Sequence, residues 1–194
     1  MDRYDRYKNF RDLADCETEF YVQYRDRQSE VSIIAPHGGN IEPNTTEIAR
    51  LIAADDLNLF CFNGLKAGSN RDLHITSHRF DHPQALTLVR SASIVIAVHG
   101  CFVVERVIYI GGLDRELMEE TGRQLDRLNL KNECGNKRFA GINPDNICNR
   151  GLRRKGMQIE ISRPLRDSSA ARQDIAAAVR LACLTLMEQE NGRG

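Results

Sequence analysis

Two stretches of this sequence end alike. Residues Ser32 to Glu42 and Ser93 to Gly100 each run through apolar residues into a histidine followed by glycine, at His37-Gly38 and His99-Gly100. In an open α/β sheet, ligands bind beyond the carboxyl ends of the strands, which is where both histidines would lie. The glycines after His37 permit a tight reversal, so Glu42 can fold back toward the imidazole. A neutral imidazole nitrogen and a carboxylate oxygen bind zinc at about 2.0 to 2.2 Å. His37, Glu42 and His99 together would supply three protein ligands and leave a position for water, the catalytic form of zinc coordination. The same residues also have structural uses: a histidine closing a strand can bond a backbone group, and a carboxylate at Glu42 would face the positive end of a following helix.

Hydrolysis at such a metal needs a group to take and return a proton. In the apolar run Met157 to Ile161, Ile159 and Ile161 face one way, while Gln158, Glu160 and Ser162 face the other. A carboxylate within an apolar strand is costly unless it is paired, solvated or used. On an edge strand Glu160 would face water; beside two histidines it is the candidate general base and acid. Arg150 and Asn149 sit in a turn-rich segment able to present a guanidinium fork and an amide together, which suits a carboxylate and favours an acidic substrate, although a capped turn with a solvated arginine fits equally. His74, near His78 and His82, forms no closed ligand set and is expected to contact substrate or support a ligand. Cys101 would share the face of His99 if the strand continues, which leaves a cysteine nucleophile open, but Gly100 weighs against continuation. The Gly111-Gly112 turn lacks the full phosphate-binding patterns.

These residues need a scaffold, and the pattern supplies one. Apolar, β-branched runs alternate with segments of helical period, predicting an α/β fold with a largely parallel open sheet flanked by helices. The expected strands cover 20–24, 31–35, 57–62, 73–76, 94–98, 107–110 and 157–161, and the expected helices 44–54, 83–91, 114–128 and 170–189. Asn44 with Glu47 reads as a capping box, and Asp114 opens an acidic first turn. Residues 129–156 show no period and read as a long functional loop or a pair of short elements.

The 194 residues suit one domain, expected over 1–194 with 1–25 as a peripheral N-terminal segment. Lys plus Arg and Asp plus Glu both total 27, so no net field favours nucleic acid or an anionic membrane, and neither partner is expected. The six cysteines form no C-x-x-C pair and are expected to be reduced and mostly buried. The charged residues 1–10 do not read as a secretory signal, which predicts a cytoplasmic protein, with release by cell lysis if its substrate is outside. A monomer is expected.

Six ordered motifs carry a family resemblance. They are Pro36-His37-x-Gly39-x-Ile41-Glu42 with Thr46-Glu47; Leu73-His74-x-Thr76-Ser77 with Phe80-Asp81-x-Pro83; His99-Gly100; Gly111-Gly112-Leu113; Asp145-Asn146-Ile147-x-Asn149-Arg150; and Gln158-x-Glu160-Ile161-Ser162. Over about Val31 to Ile161 the chain resembles the phage and bacillar poly-γ-glutamate hydrolases, zinc enzymes with a carboxypeptidase-like open α/β core. The five-residue step from His37 to Glu42 exceeds the H-x-x-E of classical carboxypeptidases, so likeness to those enzymes is architectural. The resemblance implies one zinc held by His37, Glu42 and His99, Glu160 as the catalytic carboxylate, and hydrolysis of γ-glutamyl amide bonds. Arg150 and Asn149 would hold a substrate carboxylate, a role taken from their chemistry. The rival readings are a zinc amidase acting on another acidic amide, such as a peptidoglycan stem peptide or an N-acyl amino acid, and a non-catalytic binding module on the same fold.

Overall fold

The computed structural model describes residues 5–191. Seven strands form a single mixed sheet: β1 (Phe20–Arg25), β2 (Val31–Gly39), β3 (Asn58–Gly64), β4 (Ile94–Cys101), β5 (Ile108–Gly112), β6 (Asn132–Cys134) and β7 (Met157–Ser162). Their spatial order is β1-β3-β2-β4-β7-β5-β6. The centre, β3-β2-β4-β7, is parallel, and the antiparallel pairs are β1 with β3 and β5 with β7. The α/β expectation of a mixed, largely parallel sheet therefore holds.

Central parallel strands are covered on both faces, which is why their sequences are apolar throughout instead of alternating. On one face Ile33, Ile96 and Ile159 pack against α2 (Thr45–Ala53), α4 (Arg115–Arg127) and α6 (Ser169–Asn191). On the other, Ile34, Phe60 and Phe62 pack with Leu88 and Val89 of α3 (Pro83–Ser91) and with Leu13 of α1 (Phe10–Ala14). The short α5 (Arg163–Arg166) follows β7 directly.

Several local expectations change. Residues 73–76 are not a strand: Asn70–Leu73 form a 3-10 turn, and the chain then crosses the sheet as a loop with Leu73 and Ile75 buried. The alternation Leu-His-Ile-Thr is satisfied by a covering loop as well as by a ladder. Asn44 precedes α2 but makes no side-chain cap; its φ is 73° and its amide reaches Asp167. Asp114 does cap α4, accepting from the Leu117 amide. Residues 1–4 of the expected peripheral segment lie outside the described residues. The remainder is bound to the sheet: β1 is an edge strand, and Tyr7 and Leu13 are buried. The cysteines are free, with Cys61, Cys101, Cys148 and Cys183 buried and Cys16 and Cys134 exposed. Among the described residues, no helix is long and apolar enough to cross a membrane.

Candidate metal centre and catalytic cleft

Adjacent parallel strands bring the two histidines together. β2 pairs regularly with β3 until the register shifts between Ala35 and Gly38, a bulge that re-aims the strand end at His37. Gly39 then turns the chain at φ +61°, where a Cβ would stand 2.5 Å from the Gly64 carbonyl oxygen, so both backbone angle and space require glycine. The Glu42 amide bonds back to the His37 carbonyl at 2.9 Å and closes the reversal.

The side chains converge. His37 Nε2 is 2.8 Å from the Ile75 carbonyl oxygen. A carbonyl only accepts, so this nitrogen carries the proton and Nδ1 presents a lone pair. His37 Nδ1 stands 3.1 Å from Glu42 Oε1 and 3.1 Å from His99 Nδ1. His99 Nε2 is tied to Ser77 Oγ at 3.1 Å, and Glu42 Oε2 accepts the Gly100 amide at 2.8 Å. One donor atom from each of His37, Glu42 and His99 lies within 4.8 Å of the others, all three residues buried. This donor set fits zinc: two nitrogens on one tetrahedral ion stand about 3.3 to 3.4 Å apart. Converging lone pairs and a carboxylate need a cation between them.

Glu160 lies beside this group, since β7 pairs with β4 so that Glu160 is opposite His99. The strand is central and not an edge, so Glu160 faces the cleft. Its carboxylate has no hydrogen bond or ion pair among the described residues. Burial and then the nearby Glu42 carboxylate push its pKa well above the usual glutamate value, against the opposing fields of Arg166 and Arg138. In the metal-free chain Glu42 goes the other way: burial would raise it, but positive charge on His37 and His99, the place a bound cation would take, outweighs burial and holds it below the usual range. Two neighbouring carboxyls are thus driven apart in acidity, the pattern that separates an ionised ligand from a proton carrier. Arg166, fully buried, packs against Gly100, where a Cβ would meet its guanidinium carbon at 2.5 Å.

A cleft of about 390 Å³ contains His37, Glu42, His99 and Glu160, with Lys137 and Arg138 on its rim. A second cavity of about 580 Å³ shares Glu42, Glu160 and Arg138 and extends to the exposed Phe102. His74 lines both, and its ring stacks on His37 with centroids 4.0 Å apart. Burial and His37 lower its pKa despite the bonded Asp5. Arg150 and Asn149, expected to hold a substrate carboxylate, are not among the residues brought to the cleft. Arg150 gives its donors to the backbone carbonyls of Asp145, Phe80 and His78, and buried Asn149 bonds four backbone groups, at Leu113, Gly156, Gly141 and Asn143. Both build the loop wall and line neither cavity. Of the cations that line the two cavities, Arg71 borders the second, and Lys137 and Arg138 lie in the segment without period, where their adjacency in a Gly- and Asn-rich loop was the only signal. Strand β4 does continue through Gly100 to Cys101, but burial first, and then Glu160, push the Cys101 thiol up to about 11, leaving no thiolate for nucleophilic attack.

Fold and site together define an open-sheet α/β protein with a metallohydrolase-type centre at its strand ends. The sequence model described as poly-gamma-glutamate hydrolase matches residues 4–180. The chain belongs to the poly-gamma-glutamate hydrolase family. It is 34% identical to UPF0714 protein YmaC of Bacillus subtilis (strain 168) over 169 residues, covering 84% of this chain and 72% of that protein. Its fold is similar to a bacteriophage poly-gamma-glutamate hydrolase, with TM-score 0.89 and 27% identity over 95% of this chain and 99% of that one. It is also similar to a zinc-free YndL structure, with TM-score 0.84 and 29% identity over 96% and 98%.

Proposed function

We propose that this chain hydrolyses γ-glutamyl amide bonds in poly-γ-glutamate, with one zinc held by His37, Glu42 and His99. The observation that carries this reading is the convergence of those donor atoms within 4.8 Å next to the Glu160 carboxylate, which has no hydrogen bond or ion pair among the described residues. Zinc, when bound, supplies a Lewis acid for the amide carbonyl and activates water near neutral pH. Glu160 takes the proton released by the attacking water and passes it to the leaving amine nitrogen. Its raised pKa suits both halves of that transfer. Ile75 and Ser77 hold the outer nitrogens of the ligand histidines and so aim the inner ones. Lys137 and Arg138 replace Arg150 and Asn149 as the groups that bind substrate carboxylates, and His74 contacts the substrate backbone.

The test is to incubate the zinc-loaded protein with poly-γ-glutamate and, separately, with peptidoglycan stem peptides and N-acyl amino acids. Shortening of the polymer with release of new amino termini is expected. An intact polymer where another amide is cut transfers the activity to the rival substrate class. Binding of the polymer with no cleavage of any amide identifies a binding module.

A further inference from the structure

An acid near the N-terminus, Asp5, is buried against the loop that bears His74. Asp5 has a fully buried side chain that accepts from His74 Nδ1 at 2.9 Å, from the Thr76 amide at 2.9 Å and from Arg79 Nη1 at 3.3 Å. We propose that Asp5 is a positioning residue that locks His74 in its Nδ1–H tautomer and turns Nε2 into the cleft as an acceptor for a substrate amide N–H. The inference rests on the proposed function for the nature of the substrate and on geometry for everything else.

A carboxylate accepts only, so the proton of this hydrogen bond belongs to His74 Nδ1, and in the neutral ring Nε2 is left with a lone pair. Among the described residues Nε2 has no hydrogen-bond partner, and the ring borders both cavities of the cleft. Stacking on His37 at an interplanar angle of 28° fixes the ring plane, and Asp5 fixes rotation within it. Burying a carboxylate is costly and could have been avoided if only the loop backbone needed satisfying. A polyamide presents an N–H at every repeat. Lys137 and Arg138 can recognise its carboxylates, but neither can accept a hydrogen bond from an amide.

The strap that carries Asp5 is built for accuracy. Phe10 donates its amide to Asp81, and Arg79 reaches the Lys8 carbonyl, so residues 5–10 are fastened to the loop bearing His74, Thr76 and Ser77. That loop also holds His99 through Ser77. Asp5 therefore acts from 69 residues away in sequence on a ring beside the metal ligands.

Two measurements test the proposal. Long-range proton–nitrogen spectra of the zinc-loaded, labelled protein, with His74 assigned through His74→Ala, should show the Nδ1–H tautomer in the wild type and its loss in Asp5→Ala. A wild-type Nε2–H tautomer, or a tautomer unaffected by Asp5→Ala, overturns it. In kinetics on poly-γ-glutamate, Asp5→Ala and His74→Ala should each raise KM about tenfold with little change in kcat, the size of one lost hydrogen bond. The double variant should be no worse than His74→Ala alone, and Asp5→Asn, whose carbonyl still accepts, should recover part of the loss. Additive losses, or a fall in zinc content equal to the fall in activity, reduce Asp5 to a structural role. If Asp5→Ala does not fold, Asp5→Asn and Asp5→Glu carry both measurements. Should the wild type cleave no glutamyl amide, the proposed function falls while the spectra still decide whether Asp5 sets the ring.

Discussion

Glu160 and Arg150 are both charged groups partly withdrawn from water, and they differ in what remains of their bonding capacity. Glu160 sits in a central strand with no hydrogen bond or ion pair among the described residues, its charged form disfavoured by burial and by Glu42. Arg150 spends its fork on three backbone carbonyls of two loops. The strand ends repeat the first pattern: His37 and His99 each tie off one ring nitrogen and leave the other facing a shared point. A polar side chain whose capacity is exhausted by its own fold builds the wall, whereas one left incomplete is available for the chemistry proposed above.

The comparison breaks most easily at Glu160. Glu160→Gln keeps shape and removes the proton acceptor; kcat should fall by about 10² to 10⁴ while bound zinc is unchanged, as read from initial rates and metal content. Activity near wild type would remove Glu160 from the mechanism. Arg150→Met should act on stability: stranding the partly buried Phe80 and His78 carbonyls costs about 1 kcal/mol, seen as a lower urea midpoint, with KM on poly-γ-glutamate little changed. A large rise in KM with unchanged stability would restore Arg150 as a substrate group.

A finer test uses pH. Because the folded-state pKa of Glu160 lies above its unfolded value, the metal-free folded chain holds a proton that the unfolded chain releases as pH rises past the ordinary glutamate range. Stability should therefore be lost as pH climbs from about 4.5 through the raised pKa. In the presence of chelator, Glu160→Gln should be more stable than wild type at neutral pH, and the difference should vanish at about pH 4. The smallest effect expected is at the rim. Lys137→Ala or Arg138→Ala should raise KM a few-fold and flatten its dependence on salt, since exposed charge contacts are screened.

Much of this division was legible in the sequence, and the part that was not has physical causes. Apolar runs ending in His-Gly marked both strands of the proposed metal site, because burial on two faces leaves a continuous signature and a glycine marks the reversal. Glu160 stood out because a carboxylate is rare among isoleucines. The Leu73–Thr76 segment misled because a loop lying over a sheet buries alternate residues as a strand does. β6 is three residues, Asn132–Cys134, too short to leave a period. Arg150 showed its fork but not the carbonyls that saturate it, which come from residues as far as 72 positions away. Asp5 carried no local signal at all, since its meaning depends on His74.

The metal assignment is tested most directly by elemental analysis of purified protein after zinc loading and dialysis. Ligation by His37, Glu42 and His99 predicts about one zinc per chain in the wild type and none in a folded double variant, His37→Ala with His99→Ala. A wild type that retains no zinc, or a double variant that keeps it, would contradict that assignment.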